Sequence, residues 1–428
     1  MTTSLSAGAR IAPETRRYAP RHRWVVLSVG VAAQASFSVM FSGIPVTGVV
    51  MRSGYHLSIG ALGLVLGCLG LGVAVSDIAW GLLTDRFGDR RVLLTGLVST
   101  GALLALMAVA VTPAERPGTA ALAGCLLAAG ALGGSVNGAS GRAVMTWFAD
   151  GERGLAMSIR QTAIPVGGAV GVALLPALAS SYGFRAAYAA PAVFCLITAV
   201  AVWHWLRGPG PETASPKPAS PETASGPEAV PGACRPAPAV SPLRRRDVWR
   251  VALAGSLLTV PQIAVLTFTA VFLHDARDTG TALAAAAVLV AQLGGGVARI
   301  WTGRRSDRSG DRRTPIRLIG TLTALAMAGA AVLTHAPAPL TVAALALGGL
   351  LANSWHGLAY TEIAVMAGAD RAGTALGLVG TTIFAAAFVT PLLVPVVLAA
   401  SSWQGVWAFA ATAPLLAVPL TPGRRRSP

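Results

Sequence analysis

The chain has 428 residues, 54% of them hydrophobic and 12% charged, against about 25% charged residues in a soluble globular domain. That balance excludes a soluble enzyme and points to an all-α polytopic membrane protein whose surroundings are the lipid bilayer. The net charge of +16 would suggest nucleic acid in a soluble chain, but no basic face with interleaved aromatics is present, so no nucleic-acid partner is expected.

In chain order, residues 1–23 form a basic N-terminal tail. Apolar runs of about 20 residues, enough to cross roughly 30 Å of hydrocarbon, then cover approximately 24–48, 58–83, 91–112, 118–147, 155–180 and 185–206. The first run, from Trp24, is too long for a signal peptide and lacks a small-residue cleavage site, so it reads as a transmembrane helix. Residues 207–247 are rich in Pro, Ala, Ser, Glu and Arg and repeat Pro-Glu-Thr-Ala-Ser at 211–215 and 221–225. Such a composition cannot bury a core and reads as a disordered cytoplasmic linker. A second set of runs covers 248–273, 279–303, 315–335, 338–367, 372–399 and 402–420, followed by a tail at 421–428. The expected fold is twelve transmembrane helices in two pseudo-symmetric six-helix bundles, 24–206 and 248–420.

Basic residues alternate between connections. Of 33 Lys and Arg, 26 lie in the tails, the linker and the connections on one side, whereas Arg52, Arg116, Arg185 and Arg277 occupy the other. The positive-inside rule then places both termini in the cytoplasm of a multi-pass cell-membrane protein. Cys68, Cys125 and Cys195 fall within spans and Cys234 in the linker, with no C-x-x-C pair, so no disulfide, metal site or cofactor is expected. No P-loop, G-x-S-x-G or H-E-x-x-H stands in the chain, so neither enzymatic chemistry nor ATP drive is expected. Glycines recur in the spans, as at Gly63 and Gly67, Gly134 and Gly138, Gly294 to Gly296, and Gly373 and Gly377. They permit close helix approach, either for sliding surfaces or for static packing.

The most specific pattern is duplicated. Gly81, Asp85, Arg86, Gly88, Arg90 and Arg91 recur 222 positions later as Gly303, Asp307, Arg308, Gly310, Arg312 and Arg313. Glycines suit a tight turn, the arginines hold the loop inside, and the aspartate can pair with a cation or accept hydrogen bonds from a helix N-terminus. This pattern, between the second and third spans and again between the eighth and ninth, resembles the signature of the major facilitator superfamily, and the likeness covers the whole chain. The resemblance implies a twelve-helix transporter, monomeric, with a small-molecule substrate near the membrane centre. It further implies that Asp85 latches the start of the eleventh helix near Arg371 to Gly377, and that Asp307 is its counterpart near Arg153 to Met157. Loop folding and topology alone are the other reading of the motif.

A narrower resemblance rests on Gly141 to Phe148, Arg153 to Thr162, Pro165 to Gly168, and Asn353 to Leu358 with Glu362. These runs are similar to bacterial members grouped with cyanate-type, nitroimidazole-type and organic-anion carriers. The drug-antiporter pattern Gly-Pro-x-x-Gly-Gly is not met by Ile164-Pro165-Val166-Gly167-Gly168, which disfavours multidrug efflux.

Charged groups inside the bilayer cost roughly 2.5–3.5 kcal/mol on insertion scales, so each implies a partner, a cavity or an interface. Arg160 in the fifth span is read as a substrate or gating residue, or as a snorkelling side chain or structural pair; Gln161 adds an adjacent amide. Asp77 and Arg299 are equivalent under the repeat, which invites their pairing, and Arg142 and Glu362 match similarly; these four are assigned to gating, with Glu362 also a carboxylate able to carry a coupling proton. Candidates on the helices that line the cavity in the family are Gln34, Ser38, Asn137, Gln262, Gln292, Asn353, Trp355 and His356. Each can bind a ligand or join two helices, and Trp355 can stack a planar substrate. Asn353 to His356 rank first because they are expected on one helical turn.

The expected function is secondary transport of a small organic anion or polar neutral solute by alternating access, with protons as a candidate coupling ion. The alternatives are export of drug-like or hydrophobic compounds, and a transporter-like sensor without flux.

Overall fold

The computed structural model describes residues 21–206, 240–278 and 281–423. The expectations for the N-terminal tail before 21, the linker at 207–239 and the tail beyond 423 lie outside the described residues. Fourteen α-helices are described and no strand: α1 (His22–Val46), α2 (Gly48–Gly54), α3 (Ile59–Phe87), α4 (Asp89–Ala110), α5 (Thr119–Gly133), α6 (Ser135–Trp147), α7 (Arg153–Trp205), α8 (Arg246–Asp275), α9 (Thr281–Ser309), α10 (Arg313–Val332), α11 (Ala338–Asn353), α12 (His356–Ala367), α13 (Ala372–Ala400) and α14 (Trp403–Leu420).

Ten helical segments among the described residues are long and apolar enough to cross a membrane. One of them, α7, holds two expected spans: its 53 residues turn at Gly183, where φ is 75°, a conformation that glycine adopts without strain. The eighth expected span forms α9. Large apolar side chains face outward, with Val49 at 84% and Val332 at 76% exposed, as lipid contact requires and a water-facing surface does not.

Two expected spans are distorted. The fourth is divided at Gly134 into α5 and α6, and the tenth at Ser354 and Trp355 into α11 and α12. The breaks fall at matched positions of the repeat. The backbone stays helical at both points, with φ −55° at Gly134, −89° at Ser354 and −85° at Trp355, so these are local distortions of continuous spans.

The packing has three cores. One joins α1 and α3 to α7 within the N-terminal half, and one joins α8 to α11, α13 and α14 within the C-terminal half. The third bridges the halves at the motif end, where Leu27, Phe148 and Met157 meet Val248, Trp355 and Leu376. Backbones approach closely wherever glycine allows it. A Cβ on Gly72 or Gly130 would strike the main chain across the α3–α5 seam, and one on Gly171 would strike Val39 on α1. In lipid, where apolar burial drives no association, such contact supplies dispersion energy that a bulkier residue would forfeit.

Candidate substrate and gating site

Five buried side chains converge in the N-terminal half. Gln34 on α1 donates through Nε2 to Asn137 Oδ1 on α6 at 3.0 Å. Asn137 Nδ2 in turn donates to both carboxylate oxygens of Asp77 on α3, at 3.2 and 3.1 Å. Arg160 on α7 donates through Nη2 to Gln34 Oε1 at 3.0 Å and to the Asn137 carbonyl at 2.5 Å, and through Nε to Ser140 Oγ at 2.7 Å. None of the five is more than 3% exposed. Arg160 therefore turns into the bundle, which overturns the snorkelling alternative. Its guanidinium also lies 5.9 Å from the ring centre of Tyr360 on α12, within cation–π range.

The C-terminal half repeats the arrangement with another charge. Gln262 on α8 donates through Nε2 to Asn353 Oδ1 at 2.9 Å, as Gln34 does to Asn137. Arg299 on α9 donates through Nη2 to the same Oδ1 at 3.1 Å and through Nε to the Asn353 carbonyl. Its Nη1 crosses to the other half, reaching the Gln161 carbonyl on α7 at 2.9 Å. Each half thus builds a glutamine–asparagine–charge triad from its first, fourth and second spans. The charge is negative in one half and positive in the other.

The two charges do not pair as their equivalence suggested. Among the described residues no cationic nitrogen lies within 4.0 Å of Asp77, and Arg299 is held by amide and backbone oxygens. Arg142 and Glu362 likewise stay apart. Arg142 bonds Asp89 at 2.6 Å and lies 3.4 Å from Asp85, while Glu362 bonds Arg313 at 2.6 Å with Arg312 at 4.0 Å. The physical reason is that each charge finds a partner inside its own half, beside its own motif loop. Glu362 is committed to that ion pair.

At the motif end, two aspartates reach across to helices of the opposite half. Asp85 accepts from the Gly373 and Thr374 amides at 2.8 and 2.7 Å and from the Thr374 hydroxyl at 2.6 Å. Asp307 accepts from the Gly154 and Leu155 amides, both at 2.8 Å. The free amides at the start of a helix need acceptors, and the residues preceding α13 and α7, Arg371 and Glu152, provide no side-chain cap. Each aspartate caps the other half's helix and places negative charge at the positive end of its dipole. Gly81 and Gly303 permit this proximity: a Cβ on either would strike the facing backbone. Gly88 and Gly310 turn the loops at φ 87° and 65°. Arg90 donates to the Trp203 carbonyl at 2.7 Å and Arg312 to that of Asp150 at 3.4 Å. Arg86 and Arg308 are exposed, as is Arg91.

Other candidates fall outside this arrangement. Gln292 is half-buried on α9 and joins neither triad. Ser38 bonds back to the Gln34 carbonyl at 2.9 Å. Trp355 is fully buried, stacked on His356 with ring centres 4.0 Å apart and packed against Gly255. One indole face is therefore taken by the imidazole.

A family profile described as Major Facilitator Superfamily matches residues 27–364. The chain belongs to the Major Facilitator Superfamily. It is 31% identical over 407 residues to the uncharacterized MFS-type transporter Rv2994 of Mycobacterium tuberculosis strain H37Rv, an alignment covering 95% of this chain and 86% of that protein. Among solved structures, the human organic anion transporter MFSD10 (TETRAN) matches with a TM-score of 0.71 at 16% identity, over 95% of this chain and all of that one (100%). FucP in its outward conformation matches with a TM-score of 0.67 at 14% identity, covering 94% and 99%. The proton:xylose symporter XylE matches with a TM-score of 0.71 at 15% identity, covering 94% and 95%. At these identities the solved structures show the fold alone.

The protein is thus a multi-pass superfamily transporter. Several of its contacts were missed in the sequence. Tyr360 and Ser140 are ordinary residues in apolar runs, and only three-dimensional packing brings them to Arg160. The triads left only a faint signal: Gln262 and Asn353 follow Gln34 and Asn137 by 228 and 216 positions, on either side of the 222 that separates Asp77 from Arg299.

Proposed function

We propose that this superfamily member moves a small organic anion across the cell membrane by alternating access, with both termini cytoplasmic and the two triads at the centre of the cycle. One observation carries the reading. The central layer buries two guanidiniums, Arg160 and Arg299, against a single carboxylate, Asp77. Arginine stays charged in proteins, so one positive charge lacks a counter-ion, and such a buried charge costs several kcal/mol until an anion joins it. A carboxylate suits the planar guanidinium geometry. The aspartate caps join the halves at the motif end, so on this orientation the described conformation is closed to the cytoplasm. Transport then requires that both caps break as the halves rock.

The reading is tested by thermal unfolding of the purified protein with monocarboxylates and their matched neutral amides, since ligand binding raises apparent stability by mass action. Carboxylates are expected to raise the unfolding temperature and the amides to leave it unchanged. Arg299→Gln should weaken the carboxylate response about 10- to 150-fold in affinity, corresponding to the ~1.5–3 kcal/mol of a hydrogen bond to a charged group. Equal stabilisation by acids and amides would refute an anion site.

A further inference from the structure

We infer that Asp77 is the proton-binding group of the transport cycle, sealed within the α3–α13 seam and reached by solvent when that seam parts. The inference deepens the reading above and rests on it, because it names the coupling residue of the proposed cycle.

Asp77, Gly81 and Asp85 are spaced four apart on α3 and so lie along one face. All three meet α13. Asp85 caps Gly373 and Thr374, a Cβ on Gly81 would strike the Gly373 backbone, and a Cβ on Gly377 would strike the Asp77 backbone. The Asp77 carboxylate lies in a slot between two glycines. A Cβ on Gly134, at the break between α5 and α6, would come within 2.7 Å of Oδ1, and one on Gly380 of α13 would strike Oδ2. One wall of the slot belongs to each half. The latch and the buried acid therefore share one seam, and the separation that releases Asp85 also removes a wall from Asp77.

The matched seam between α9 and α7 is built alike. Arg299, Gly303 and Asp307 are again spaced four apart, with Arg299 on the Gln161 carbonyl, Gly303 against Gly154 and Ser158, and Asp307 capping Gly154 and Leu155. Its buried charge is a guanidinium, which does not release its proton in proteins. Of the two buried charges only Asp77, in the α3–α13 seam, carries an exchangeable proton, so the two halves divide the work: a fixed cation for the anion in one, a titratable acid in the other.

The groups around Asp77 are few. From α1 comes Gln34 through Asn137, from α6 Asn137 itself, from α7 Arg160 and from α12 Tyr360, with Arg299 beyond on α9. The α13 helix has no titratable residue and α5 has only Cys125, while the charges of α4 and α6 lie nearer the motif loop, where Asp89 pairs with Arg142, Arg90 donates to the Trp203 carbonyl and Arg91 is exposed. Protonating Asp77 removes the one buried negative charge from a centre with two cations. It therefore strengthens the attraction for an anion, and by linkage an anion favours the proton equally.

Dicyclohexylcarbodiimide, an apolar reagent for protonated carboxyls, provides a test that needs no substrate. In the full-length wild-type protein the adduct, located by mass spectrometry, should form on Asp77 and diminish as pH rises; absence of Asp77 adduct at every pH while other carboxyls react would overturn the assignment. A second measurement uses a monocarboxylate that stabilises the wild type. Its affinity should fall about 5- to 150-fold from acid to alkaline pH, the range of ordinary coupling, and become independent of pH in Asp77→Asn. Persistence of the full pH dependence in that variant would also overturn it. Pronounced labelling without any monocarboxylate binding would leave the proton site standing and remove the anion reading instead.

Discussion

A carboxylate that caps a helix in the opposite half has a function that an amide serves poorly. Asp85 offers two oxygens to three donors on Gly373 and Thr374, whereas asparagine would offer one and lose the charge that favours a helix N-terminus. With spin labels at the exposed positions Arg86 and Asp370, Asp85→Asn should shift the distance distribution toward longer separations, favouring the parted state by ~1.5–3 kcal/mol, the worth of a charged hydrogen bond. An unchanged distribution would reduce Asp85 to loop folding. The contacts of Asp85 and Asp307 were legible as expectations because the motif is local, duplicated and chemically specific. Asp77 and Arg299 were legible as equivalent positions but not in their contacts. A charge inside an apolar run announces that it needs a partner without saying which, and here amides and carbonyls lay nearer than the opposite charge.

At the scale of helices, glycine seams separate into two kinds. Gly171 lies against Val39 on α1, within the N-terminal half, whereas Gly377 lies against Asp77 on α3, across the two halves. Overpacking costs about 1–3 kcal/mol at either place, but the strain is relieved differently. Gly171→Val should lower the unfolding temperature and leave the separation between labels at 86 and 370 unchanged. Gly377→Val should lengthen that separation, because the halves can part to accommodate the side chain. The same response from both variants would mean that the halves do not move as units. Glycine spacing in the sequence suggested close approach but could not distinguish these cases, since the distinction depends on which helix faces the glycine. The distortions at Gly134 and Ser354 were not legible for a related reason: the polar residues beside them, Ser135 and Asn137 in one span and Asn353 and His356 in the other, suit a binding face on an undistorted helix equally well.

At the scale of the molecule, a duplicated half has kept its architecture and changed its charges. Both halves retain the motif loop, the distorted fourth helix, the glutamine–asparagine pair and the aspartate that caps its neighbour. They differ where Asp77 stands against Arg299, and in the ion pairs of Arg142 with Asp89 and Glu362 with Arg313. The helix count and the two-half division could be read from apolar runs, because a bilayer imposes length and composition on every span. The layered contacts could not, since they join residues far apart in the chain. The most direct test of transport by rocking around an anion-binding centre is counterflow. Proteoliposomes loaded with an unlabelled monocarboxylate that stabilises the protein are diluted into a trace of the labelled compound. The account predicts transient accumulation of label above its equilibrium level, lost in Arg299→Gln; a signal no greater than that of protein-free liposomes, for every carboxylate that binds, would contradict it.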